Sequence, residues 1–383
     1  MKKCVLIPDS FKGTMSSITV CNIIAKKIKE YYPDCQVLSL PAADGGEGTA
    51  EAFFTALPAE KVFLEVTGPF GNPVKVYYVQ SGDTAIIEMA QAAGLPLAEA
   101  LHRKDPLSAT TFGVGEMIRH AAEHGCRDII LGLGGSCTND CGAGMAAALG
   151  AAFRDKRGTA FLPVGKNLSQ VADISLEGIE KSLQNCKVTA MCDIDNPLYG
   201  KRGAAFIFAP QKGASPEDVL LLDQNLRAFS QKILEYTQKD VSFLPGAGAA
   251  GGMGAGVAAF LNGTLKSGIE TVLDTVGFNE KAKDADFIFT GEGKLDAQSL
   301  GGKVVVGVAK RANKLAVPVI AIVGDIARGA EKVYDTGVAS VFSINRLAIP
   351  FSEAKKRCKE DLEDTVDSLM RYQKMLEGHF LHK

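Results

Sequence analysis

Cys4-Val5-Leu6-Ile7-Pro8-Asp9-Ser10-Phe11-Lys12-Gly13 is the stretch on which the fold turns. Four apolar residues make a short strand, a proline ends it, and a polar loop closed by glycine follows. From Ser16 to Tyr31 the apolar positions Val20, Ile23, Ile24, Ile28 and Tyr31 recur with helical spacing, which predicts a helix with one buried face and Ser16 or Ser17 as its N-cap. Val37 to Leu40 is the next strand, Ala43-Asp44-Gly45-Gly46-Glu47-Gly48-Thr49 the next loop and Ala50 to Leu57 the next helix. This strand-helix alternation predicts a parallel sheet.

After Lys61 the texture changes. Val62 to Val66, Val74 to Val79 and Thr84 to Met89 are separated by Gly-Pro, Gly-Asn-Pro and Ser-Gly-Asp turns that leave no room for helices, an antiparallel signal. Helix and strand alternate again from Leu107 to Pro210, and the opening rhythm returns near Asp284 with Phe287 to Phe289, Val317 to Val323 and Ser340 to Ser343. The economical account is an insertion. Two early and three late strands form one five-stranded flavodoxin- or Rossmann-like parallel sheet domain of residues 1–62 and 283–383, interrupted by a larger mixed α/β domain of residues 63–282. Val317 to Val323 is then expected to pair with an opening strand. Ser352 to Leu376 reads as a charged amphipathic helix covering that sheet.

The 383 residues exceed what one core normally serves, about 250–300 residues, so two domains are the default. With 42 basic against 44 acidic residues the net charge is -2, which gives no footprint for nucleic acid or an anionic membrane surface. A small-molecule partner fits better. Nine scattered cysteines suit a reducing cytoplasm, and Cys137 and Cys141, without a second pair or a nearby histidine, read as packing residues rather than zinc ligands. The apolar run before Pro8 is too short for a signal peptide. The uncharged stretch from Val241 to Leu265 contains Pro245, Asn262 and many glycines, so it reads as a packed segment and not a membrane span.

The chemistry gathers in loops that follow apolar runs. Besides Pro8 to Gly13 and Ala43 to Thr49 there is Thr290-Gly291-Glu292-Gly293-Lys294-Leu295-Asp296. Small residues at the carboxyl end of a parallel strand let backbone N–H groups reach phosphate or carboxylate. Lys12 is placed to meet such an anion, or is a solvated lysine, and Asp9 is a ligand or a loop-fixing acceptor. Asp44 and Glu47 precede a helix start, as caps or as Mg²⁺ ligands. Glu292, Lys294 and Asp296 are expected on the same sheet edge as Lys12 and Asp44, with Gly301, Gly302 and Lys303 opening the next helix.

Gly132-Leu133-Gly134-Gly135-Ser136-Cys137-Thr138-Asn139-Asp140 follows the strand Asp128 to Leu131 and opens a helix, an arrangement that cradles an anion or simply caps the helix. Strand Val188 to Met191 delivers Asp193 and Asp195 in Cys192-Asp193-Ile194-Asp195-Asn196-Pro197-Leu198-Tyr199-Gly200; Asp193, nearer the strand end, is favoured as base or metal ligand. Gly246 to Gly251 matches G-x-G-x-x-G but lies outside an opening βαβ unit, so close packing near adenine or phosphates, involving Gly251 and Gly252, is the better reading. The chain contains neither G-x-x-x-x-G-K-[ST] nor a His-Arg-Asp loop, and its histidines form no H-E-x-x-H pair, which argues against P-loop, protein-kinase and metalloprotease chemistry.

The five blocks together resemble the signature segments of the bacterial glycerate kinase family, in the family's order from residue 8 to residue 303 and at the family's length. The chain departs from the family pattern at Cys141, where glycine is usual, and at Lys294 and Ala297, where arginine and serine are usual. The resemblance implies ATP-dependent phosphorylation of glycerate, to 2-phosphoglycerate, with Mg²⁺. Under it Asp193, Lys12 and Asp44 are catalytic; Ser10, Ser136, Thr138, Asn139, Lys294, Gly134, Gly135, Gly251 and Gly252 bind substrate or phosphate; Glu47, Asp195, Glu292 and Asp296 hold metal. The rival expectations are a kinase or phosphatase acting on another small hydroxy acid, and a non-catalytic nucleotide- or metabolite-binding regulator.

Overall fold

The structure is a computed structural model that describes residues 1–381 apart from 12, 44, 47, 180–182, 184 and 297–303. It opens with β1 (Lys3–Pro8), α1 (Ser17–Tyr31), β2 (Gln36–Ser39) and α2 (Thr49–Ala56). Ser16 caps α1, its hydroxyl accepting from the Thr19 N–H at 3.2 Å, and Val20, Cys21, Ile24 and Ile28 form the buried stripe that the spacing predicts. Next come β3 (Glu60–Thr67), β4 (Pro73–Ser81) and β5 (Thr84–Glu88), then α3 (Ala90–Ala93), α4 (Leu95–Ala100), α5 (Phe112–Glu123), β6 (Asp128–Gly132) and α6 (Ala143–Ala148). A separate antiparallel pair, β7 (Ala152–Arg154) and β8 (Asp173–Ser175), precedes β9 (Lys187–Met191), α7 (Ala204–Phe208), α8 (Pro216–Thr237), α9 (Ala249–Phe260) and β10 (Thr264–Lys266). The chain ends with α10 (Gly268–Thr275), α11 (Phe278–Ala282), β11 (Phe287–Gly291), β12 (Lys294–Leu295), α12 (Val304–Asn313), β13 (Val319–Val323), β14 (Asp325–Ile326), β15 (Val338–Ser343) and α13 (Phe351–Leu381).

The chain packs as two compact units, Met1–Asp44 with Glu51–Leu57 and Gly268–Lys383, and Gly45–Ala50 with Pro58–Ser267. These crossings precede the expected 62/63 and 282/283. β3 already belongs to the second unit's sheet from Glu60, and α10 and α11 pack on α12 and β1.

The first unit holds a five-stranded sheet in the order β15-β13-β11-β1-β2, every pair parallel. Counted within the unit this is 2-1-3-4-5, the flavodoxin-like order. The direct pairing of Val317 to Val323 with an opening strand is not made. β11 stands between, matching Cys4 to Phe287 on one edge and Ile288 to Val319 on the other, because it is apolar enough to be buried on both faces. Leu6, Phe289 and Ile322 form one core with Val20, Ile24 and Ile28 of α1 and Leu362, Val366 and Met370 of α13.

The second unit's six strands run β10-β9-β6-β5-β4-β3. β3, β4 and β5 are antiparallel neighbours, as their tight turns require, while β5, β6, β9 and β10 are parallel. Phe153, Phe229 and Phe260 meet in its core, with ring centroids 5.9 Å apart from Phe153 to each of the other two. The uncharged stretch around α9 is buried here, and among the described residues no helix is long and apolar enough to cross a membrane.

Candidate active site

In the first unit the strand order reverses between β1 and β11, the point at which an open α/β sheet leaves a crevice beyond its strand ends. The loops after these two strands are stitched together. Asp9 N–H donates to the Gly291 carbonyl at 2.8 Å and Thr290 Oγ1 donates to the Ile7 carbonyl at 2.9 Å. Asp9 Oδ1 accepts from the Ser10 N–H at 2.6 Å, so it fixes its loop. A Cβ on Gly291 would stand 1.9 Å from the Ile322 carbonyl, so only glycine lets β11 end this close to β13. Glu292 is buried, Asp9, Ser10 and Asp296 are half-buried and Lys294 is exposed on β12. Lys12, Ala297, Gly301, Gly302 and Lys303 lie outside the described residues.

The acidic glycine loop was expected on that same edge. Its glycines rest instead on the second unit's sheet, beyond β6 and β9. Gly134 N–H donates to the Gly45 carbonyl at 2.8 Å. A Cβ on Gly134 would lie 2.4 Å from Gly46 Cα, and one on Gly45 2.8 Å from Met191 Cβ. Bare backbone is what permits this approach. Asp44 and Glu47 themselves lie outside the described residues. Glu88, buried at the end of β5, accepts from the first-turn Ala50 N–H of α2 through Oε1 at 2.6 Å.

The Gly132 to Asp140 segment turns inward. Gly135 is exposed with φ 73°, but Ser136, Thr138, Asn139 and Asp140 are buried. Asp140 Oδ2 accepts from Thr111 N–H at 2.7 Å, Thr111 Oγ1 at 2.8 Å and Gly144 N–H at 3.3 Å, and Oδ1 from Gly142 N–H at 3.2 Å. Burial pushes this carboxyl above the ordinary aspartate range, while the four donors pull it back. Lys212, just before Gly213, is 2% exposed, and its Nζ donates to Ser136 Oγ and to the Thr138 carbonyl, both at 2.8 Å. Burial brings this ammonium down to about 8, against the opposing pull of Cys137 and Asp140. Cys137 packs with Ala98 and Ala109, as the absence of zinc spacing suggested.

Ala250, Gly251 and Gly252 have φ of 53°, 69° and 91° at the start of α9. Gly251 and Gly252 are buried against the segment just described: a Cβ on Gly251 would lie 2.0 Å from the Thr138 carbonyl and one on Gly252 3.0 Å from Cys141 Cα. They act by close packing. Cys141, where the family's usual residue is glycine, has φ 55°, a left-handed conformation that costs a side-chain-bearing residue about 1–2 kcal/mol.

Asp193 and Asp195, two apart, would share a face in an extended strand. Beyond β9 the chain is irregular and they part. Asp193 is exposed, its Oδ1 accepting from Ser267 Oγ at 2.9 Å just after β10. Asp195, with its side chain 76% exposed, takes both its bonds from Arg202 Nη2 at 3.1 Å.

Glu88, Thr111, Lys212 and Ser267 were not anticipated from the sequence. Two of them left a signal. Glu88 is an acid closing the apolar run Ala85 to Ile87, and Lys212-Gly213 repeats the Lys-Gly pattern of Lys12-Gly13, with left-handed glycines at φ 101° and 75°.

Parallel strands that end in glycine loops and carboxylates, two such edges in one chain, define an α/β enzyme that handles small anionic molecules. A model of the Glycerate kinase family matches residues 4–374. The Glycerate kinase of Bacillus cereus (strain ATCC 10987 / NRS 248) is 42% identical over 381 residues, 99% of this chain and all of that protein. The Glycerate 2-kinase of Escherichia coli (strain K12) is 45% identical over 344 residues, 89% of this chain and 90% of that one. A crystal structure from Salmonella typhimurium LT2, described as a candidate glycerate kinase 2, superposes with a TM-score of 0.88 at 41% identity over 98% of this chain and 99% of that one. The chain belongs to the glycerate kinase family.

Proposed function

We propose that the protein transfers the γ-phosphoryl group of ATP to glycerate and gives 2-phosphoglycerate. The observation that supports this most is the likeness to the Escherichia coli Glycerate 2-kinase across nine-tenths of that protein. Asp193 is the base of the reaction, an exposed carboxylate at the end of a parallel strand oriented by the Ser267 hydroxyl, and it takes the proton of the attacking hydroxyl. Lys12 and Asp44 complete the catalytic set, and Ser10, Lys294 and Gly135 meet phosphate or carboxylate oxygens, whereas Gly134, its N–H taken by the Gly45 carbonyl, serves by letting that loop approach. Ser136, Thr138 and Asn139 are buried, so they serve by shaping the turn that presents the Gly135 N–H.

For Mg²⁺, Glu292 and Asp296 on one loop, with Glu47, offer the hard oxygen donors the ion takes. Asp195 does not fit, because Arg202 holds it, and among the described residues no three acids or histidines stand together as a ligand group. When bound, the ion would neutralise charge on the phosphates. The test is incubation with ATP, Mg²⁺ and a panel of hydroxy acids, following ADP and identifying the product by phosphorus NMR. Glycerate-dependent ADP formation with 2-phosphoglycerate is expected, at a turnover of about 1–100 s⁻¹. Turnover only with a different hydroxy acid would replace the substrate, dephosphorylation of a phosphorylated acid would make it a phosphatase, and binding without turnover would make it a regulator.

A further inference from the structure

Lys212 is the one buried lysine or arginine among the described residues. Taking an ammonium out of water costs several kcal/mol even when it is paired, and an apolar side chain of the same volume often gives equal or greater stability. A requirement for folding alone therefore does not account for it. What it does is specific: two bonds of 2.8 Å tie it to Ser136 Oγ and to the Thr138 carbonyl, on either side of Cys137, in the turn that presents Gly135. A second cost lies in the same turn. Both amide atoms of Asn139 are buried with no hydrogen-bond partner among the described residues, an arrangement that a purely structural turn would have no reason to retain.

We propose that Lys212 is a positioning residue of the phosphoryl-transfer reaction, pinning the Gly132 to Asp140 turn from inside so that the exposed Gly135 is held in the shape in which its N–H receives an anionic substrate oxygen. This rests on the kinase reading above. Two groups face the ammonium: the Cys137 thiol, which burial pushes up to about 12, and the Asp140 carboxyl, raised by burial and engaged by Thr111, Gly142 and Gly144. Lys104, against which Gly213 packs, is tied to Glu99 at 2.7 Å.

The pin is consequently pH-sensitive. Burial lowers Lys212 from its ordinary 10.5 to about 8, so above that pH the charged donor becomes a neutral amine and its hold on the turn weakens. Stability moves the other way. The folded value lies below the unfolded one, so the cost of the buried charge is present in full below pH 8 and is relieved between 8 and 10.5. Activity falling while melting temperature holds or rises is a signature that mere unfolding does not give.

The experiment measures kcat, KM and melting temperature from pH 6.5 to 10 for the full chain and for Lys212→Met, Lys212→Arg and Lys212→Gln. For Lys212→Met we expect a retained melting temperature and a KM for glycerate or ATP raised about ten- to a hundred-fold, the scale of losing a charge-assisted hydrogen bond. Lys212→Arg, charged at every pH, should restore part of the KM and abolish the alkaline limb near pH 8. If arginine is not accommodated, Lys212→Gln gives the converse readout, a KM raised at all pH values with the limb gone. A folded Lys212→Met protein with kinetics within twofold of wild type, or the same alkaline limb in an active Lys212→Arg, overturns the proposal. Wild-type protein that forms no ADP with glycerate overturns the kinase reading instead.

Discussion

The two sheets end in similar loops but treat charge differently beside them. In the first unit, Asp9, Ser10, Lys294 and Asp296 are half-buried or exposed, and Glu292 is the buried charge of the edge. In the second, Glu88, Asp140 and Lys212 are all buried near one glycine turn, together with Asn139. A loop whose polar groups face water keeps its stability and some freedom. One pinned from inside gives up stability and gains a fixed geometry, which is what stabilising charge that develops during a reaction requires. The loops of the second unit's sheet are thus expected to be the more rigid of the two sets.

Three measurements sharpen or break that contrast, taken from the largest effect down. Asp193→Asn removes an exposed charge from the second sheet's edge without changing shape. It should lower kcat by about 10²–10⁴ with melting temperature unchanged; a fully active variant removes Asp193 from the reaction. Asp140→Ala orphans four buried donors, and urea unfolding should show a loss of about 3–5 kcal/mol. A loss below about 1 kcal/mol would mean that the buried cluster is not the rigid element described here. Ser16→Ala deletes the α1 cap in the first unit, where the hydroxyl stands partly in solvent. About 1 kcal/mol and no change in KM are expected, and a KM shift would show that the two edges are not so different after all.

The first unit was legible because its signals are local and redundant. Apolar runs such as Cys4 to Ile7 have strand length, the α1 stripe has helical period, and a hydroxyl stands at the cap. The antiparallel part of the second unit was equally plain from the turns between β3, β4 and β5. What sequence could not show was which loop sits on which sheet. Gly45 and Gly46 leave the first sheet because Gly132 and Gly134, some ninety residues on, lack side chains that would block them, and nothing near residue 45 records this. Lys212 was missed for the same reason. It is charged and follows the apolar run Ala204 to Ala209, so in sequence it resembles a solvated helix-end lysine, and only the return of its segment beneath Ser136 buries it. Of Asp193 and Asp195 the sequence favours Asp193, and the irregular chain after β9 separates the two and gives Asp195 to Arg202.

The interruption of the first sheet also sets an order in time. Thr290 and Ile7, joined by a hydrogen bond across β11 and β1, are 283 residues apart in the chain. A ribosome adds about 5–20 residues per second, so β1 emerges tens of seconds before the strand that becomes its central neighbour. For that interval Cys4 to Ile7 can pair with β2 but keeps one apolar edge bare, while every residue of the inserted unit is made and can fold. β1 is therefore among the last strands of its sheet to be completed, and protecting that edge falls to whatever meets the nascent chain in the meantime.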